Sequence, residues 1–152
     1  MNTPPRQPLS ALAKWTAGLA LFIGVGAVFG GGMMLFGPDA FGMEPMLKDL
    51  QKLPLDQVFF QSFTWPGLFL LLVNGLPQLW AGVLLLRRQS SAAWWVMACG
   101  VLLAGWISIQ WFIFTPNPLT TIYSLFAVAE LVLGWQLHRR GLTRSPAQPS
   151  ST

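Results

Sequence analysis

The stretch LLLVNGLPQLWAG (residues 70–82) is apolar enough at both ends to cross a membrane, yet Asn74, Gly75, Pro77 and Gln78 sit in its middle. Its apolar flanks extend it to residues 66–86, matching the ~20 residues that a helix rising ~1.5 Å per residue needs to span a ~30 Å hydrocarbon layer. Three more runs of this kind cover residues 15–36, 92–114 and 119–137. The chain is 53% hydrophobic and only 9% charged, whereas soluble domains carry roughly 25% charged residues. An ordinary soluble domain is excluded. The expected fold is all-α, a polytopic transmembrane four-helix bundle occupying residues 11–140.

Charge placement sets the topology. Arg6 and Lys14 precede the first span, Arg87 and Arg88 separate the second from the third, and His138, Arg139, Arg140 and Arg144 follow the fourth. The long loop 37–62 holds only Lys48 and Lys52, against Asp39, Glu44, Asp49 and Asp56. With four spans, seven of the nine Lys and Arg residues fall on one side, which the positive-inside rule makes cytoplasmic, so both termini are expected there. No basic face carries interleaved aromatics, and nucleic acid is not an expected partner. The first run is longer than a signal-peptide core and is expected to be a retained helix.

The Pro- and Ser-rich ends, 1–10 and 141–152, are expected to be disordered tails. In the first run Ala13, Ala17, Ala20, Gly24, Ala27 and Gly31 recur at steps of four and three, a small-residue stripe that lets a neighbouring helix approach closely. Gly26 and Gly30 add a GxxxG spacing on another face, a possible homodimer contact. Within the external loop, EPMLKDLQKL (44–53) groups Met46, Leu47, Leu50 and Leu53 on one side, as a short amphipathic helix on the membrane face or over the bundle. Thr64 is the expected N-cap of the second span, with Pro66 in its first turn. Trp15, Trp65, Trp94, Trp95 and Trp135 lie near span ends as interfacial anchors.

The polar residues inside the spans are the candidate site. Asn74 and Gln78, four apart, share a face of the second helix; Trp106 and Gln110 share one on the third; Tyr123, Ala127, Glu130 and Gly134 share one on the fourth. Counted outward from each span centre at ~1.5 Å per residue, these faces interlock into a column running from Gln110 and Tyr123, past Trp106 and Asn74, to Gln78 and Glu130. Facing lipid, such groups would lack partners at a cost of several kcal/mol, so they must face inward. Glu130 is the only acidic residue in any span. Pro77 has no N–H for the carbonyl of Val73, so helix two is expected to kink, eased by Gly75, and to open that carbonyl beside Asn74. An amide, a carbonyl and a carboxyl at one depth can orient a hydroxyl, coordinate a cation or hold water, or simply bond helices together.

The segments LLLVNGLPQLWAGVLLLRR, GWISIQWFIF and NPLTTIYSLFAVAELVLGW resemble a group of uncharacterised small bacterial four-span integral membrane proteins. In that group an Asn-Gly-hydrophobic-Pro-Asn/Gln, a Trp-Ile-x-x-Gln and a Ser/Thr-Thr-Ile-Tyr segment recur in that order. The resemblance covers about residues 63–137 and falls on Asn74, Gly75, Pro77, Gln78, Trp106, Gln110, Thr121 and Tyr123. It implies a bacterial inner membrane and lends no activity. A looser architectural likeness is to DoxX-like four-helix proteins.

Three functions follow as expectations. The first is a non-enzymatic module that binds a membrane lipid or small apolar ligand, or serves as an accessory subunit. The second is a small proton- or cation-coupled transporter using Glu130. The third, an intramembrane enzyme, has little to work with: one histidine, one cysteine (Cys99) and no acid pair, Ser-His set or phosphate loop. No catalytic residue, metal ligand or cofactor is expected.

Overall fold

The computed structural model describes residues 9–39, 42–54, 56–114 and 118–140. Helix α1 spans Ala11–Phe36. It begins four residues before the apolar run because Ser10 caps it, its hydroxyl accepting from the Ala13 N–H at 3.2 Å. In the loop between spans one and two, α2 (Glu44–Leu50) is shorter than the amphipathic pattern, with Leu50 buried and Pro45 in its first turn. Hydrogen bonds from the Lys52 and Leu53 N–H groups to Asp49 and Leu50 wind the chain into turns ahead of Pro54. A further single turn, α3 (Asp56–Phe59), was not foreseen.

The second span is continuous over Thr64–Leu86 but not uniform. It runs as α4 (Thr64–Phe69), a π-helical segment (Leu70–Gly75) and α5 (Leu76–Leu86). Thr64 is not the N-cap but the first helical residue; Ser62 plays the capping part, accepting from the Thr64 N–H at 3.3 Å and donating to its hydroxyl at 2.9 Å. The third and fourth spans are α6 (Ala92–Ile113) and α7 (Pro118–Arg139). The expected tails lie, apart from Leu9 and Ser10, outside the described residues.

Four helices are long and apolar enough to cross a membrane, and the chain is an all-α, multi-pass four-helix bundle. α1 packs along the whole second span, α6 pairs with α7, and α5–α6 and α1–α7 contacts close the ring. α5 and α7 therefore occupy opposite corners. Large apolar side chains such as Phe22, Phe29, Phe112 and Leu125 point outward, while the interior is rich in alanine, glycine and polar groups. In lipid this is economical, because the surrounding chains are as apolar as leucine and helices associate through close packing and hydrogen bonds instead.

All six residues of the small-residue stripe are buried. They face the second span, which answers with glycines of its own: a Cβ on Gly82 would stand 2.6 Å from Leu21 Cγ. Gly26 and Gly30 are also used within the chain, under the Tyr123 hydroxyl and Leu70 respectively. Close packing is interrupted between spans two and three. In the half of the bundle that holds α4, this helix stays with α1 and does not pack closely on α6, which leaves a cleft between the two spans.

Candidate functional site

Pro77 shapes the site through the turn before it. The Leu76 N–H bonds the carbonyl of Leu71, five residues back rather than four, so the expected kink takes the form of a widened π turn. Continued in that register, the next donor would be the N–H that Pro77 lacks. An unbroken α-helix would pair the carbonyl of Val73 with residue 77 and the π register would pair that of Leu72 with it; Pro77 can serve neither. Val73 also lines the cleft. Gly75 closes the segment and is buried; its missing Cβ lets Val28 of α1 approach, since a methyl there would stand 3.2 Å from Val28 Cγ2.

Three of the candidate site's side chains are removed from the surroundings almost completely: Asn74 and Gln78 are 1% exposed and Glu130 is 0% exposed. Gln78 donates through Nε2 to Glu130 Oε2 at 2.7 Å, a bond across the diagonal of the bundle. It is the one hydrogen bond this group makes among the described residues. Both amide atoms of Asn74, Gln78 Oε1 and Glu130 Oε1 are buried without a partner. No Lys or Arg pairs with Glu130; among the described residues the ion pair seen is Lys52–Asp49, at the surface. A dry, unpaired polar atom costs about 1–3 kcal/mol, so these four atoms weigh against the single bond that the cluster makes between helices.

The other predicted residues surround a cavity just outside this cluster. About 100 Å³ in volume, it is lined by Asn74, Trp106, Gln110 and Tyr123 together with apolar groups such as Ile23 and Leu103. The column expected from depth counting is therefore present in two adjoining parts: Gln78 with Glu130 below, and Asn74, Trp106, Gln110 and Tyr123 around a space above. Tyr123 is held by edge-on contact with Phe126 at 5.6 Å, and Phe126 in turn with Phe22 of α1 at 5.9 Å.

The cleft is the part that sequence reasoning missed. It encloses about 660 Å³ and is almost wholly apolar, with walls from Phe69 and Val73 on span two and Leu102, Gly105 and Ile109 on α6. The loop helix α2 contributes Met46 and Leu50, and Phe59 and Phe60 follow from the same loop. Trp106 and Gln110 line both spaces and so stand between the apolar cleft and the polar cavity. The legible signals were Gly105, a second glycine beside Gly100 in an apolar run, and a loop helix with an apolar side to cover something. Neither tells where span two leaves span three.

This arrangement can hold an apolar body against polar groups that both donate and accept. It is ill suited to acid–base chemistry, since Tyr123 and Glu130 lie about two helical turns apart on α7. No group of His, Cys, Asp and Glu among the described residues is placed to hold a metal ion. No family model, curated protein or solved structure matches the chain.

Proposed function

We propose that the protein is a non-enzymatic membrane module that binds a lipid, with the chain of the lipid in the cleft between spans two and three and its polar end toward Trp106 and Gln110. The observation that carries this reading is the 660 Å³ apolar cleft set directly against a polar cavity through those two shared residues. Its size lies within the ~300–1,000 Å³ of ligand pockets, and it has their character, apolar walls with a few placed polar groups. Lipid is the natural occupant because the cleft lies between membrane-spanning helices. The distribution of basic residues supports a bacterial cytoplasmic membrane with both termini inside.

Native mass spectrometry of the detergent-purified protein tests this. A retained lipid is expected, and Gly105→Trp should remove it: Gly105 lines the cleft and a Cβ there meets nothing within 4 Å, so a large side chain can start from this position into the lipid's space. Protein that is free of lipid after gentle extraction overturns the proposal. A second reading, a transporter driven through Glu130, draws on the unpaired oxygen of that buried carboxyl. It predicts ion-coupled flux in proteoliposomes that Glu130→Gln abolishes.

A further inference from the structure

Resting on the lipid-binding reading, we infer that the ligand's head is uncharged and carries a hydroxyl, and that Asn74 is its anchor. Asn74 is 1% exposed, lines the cavity, and leaves both its donor and its acceptor without a partner. An amide in that state calls for a group that accepts from Nδ2 and donates to Oδ1. A hydroxyl does both with one atom.

Charge narrows the class further. Among the described residues, the linings of the cavity and the cleft contain no Lys, Arg, His, Asp or Glu. A phosphate brought there would be buried without a cation, and an ammonium without an anion at hand in the lining, each a large desolvation penalty. The polar groups that are present, from Asn74, Gln110, Tyr123 and Trp106, are two amides, a phenol and an indole N–H, which suit neutral partners. Size agrees: about 100 Å³ is roughly three water volumes and about 660 Å³ roughly twenty, at ~30 Å³ each, room for a small head and one long chain. The chemical class is a neutral single-chain amphiphile, such as a monoglyceride or long-chain alcohol, rather than a phospholipid.

Two probes with the same chain separate head from tail: monooleoylglycerol, and oleoyl lysophosphatidic acid, which replaces the neutral end with an anion. Each is titrated into delipidated protein in neutral detergent and counted by native mass spectrometry. Monooleoylglycerol is expected to bind at least tenfold more tightly. Asn74→Leu should erase that preference while chain binding persists, and Gln110→Met should reduce it, giving a second arm if the Asn74 variant does not assemble. Gly105→Trp should abolish binding of both probes. Equal affinity, or preference for the phosphate, overturns the neutral-head inference and leaves the lipid cleft standing. Binding of neither probe overturns both.

Discussion

Replacing Gln78 and Glu130 together should leave the bundle at least as stable as the native chain, although either replacement alone weakens it. The pair shares one 2.7 Å hydrogen bond and contributes two of the four unpartnered buried polar atoms. Gln78→Met removes one orphan, Gln78 Oε1, but creates another at Glu130 Oε2; Glu130→Met likewise trades Glu130 Oε1 for Gln78 Nε2. Each single change therefore loses the bond without reducing the number of orphans. Membrane side-chain hydrogen bonds average about 0.6 kcal/mol, with values up to about 1.7 kcal/mol, which sets the expected loss. The double variant loses the same bond but removes both orphans, each costing about 1–3 kcal/mol when dry. Its predicted net change is near zero to a gain of a few kcal/mol. Unfolding midpoints for all four forms in one detergent close the double-mutant cycle. A double variant less stable than the native chain would refute the reasoning, and would make the cluster structural glue after all.

Overpacking at the helix interfaces gives a sharp contrast among glycines. Gly82→Ala places a methyl 2.6 Å from Leu21 Cγ and should cost about 1–3 kcal/mol, seen as a lower unfolding midpoint. Gly18→Ala, where nothing lies within 4 Å of the new atom, should instead be neutral or gain up to about 1 kcal/mol, since alanine is the better helix former. Pro77→Ala restores the missing N–H and should convert the π turn to a regular helix. The expected result is a higher unfolding midpoint together with weaker lipid retention, because the turn that aims Asn74 is altered; unchanged retention would separate the π turn from the site. Ser10→Ala removes the cap on α1 and should cost about 0.5–2 kcal/mol, measurable in the same assay.

Several features were legible without coordinates because they depend on a chain meeting a bilayer. The four spans follow from length and apolarity, and the all-α bundle follows from the need to satisfy backbone groups internally. The polar column was legible for the same reason: Asn74, Gln78 and Glu130 have no tolerable outward orientation, and helical spacing fixes their relative depth. The burial of the whole stripe from Ala13 to Gly31 bears out the same kind of reasoning, since small residues at regular spacing have little use on a lipid-facing surface.

Tertiary structure decided what periodicity could not express. Pro77 announces a break, but whether the helix bends or widens depends on what packs beside it, and Val28 against Gly75 accompanies a π turn. That turn shifts the hydrogen-bond register by one residue, which adds the carbonyl of Leu72 to that of Val73 as an acceptor that Pro77 cannot serve. Shared depth already offered Gln78 and Asn74 as hydrogen-bond partners for Glu130, but which of them pairs, and which group donates, depends on two helices at opposite corners bringing Gln78 Nε2 within 2.7 Å of Glu130 Oε2. The cleft is the clearest case. Apart from Trp106 and Gln110, the residues on its walls are unremarkable apolar or small residues of a membrane span or loop, and its volume exists only because α4 follows α1 away from α6. Sequence determines which groups the bilayer will not accept; the packing of the helices determines whether those groups close on one another or on empty space.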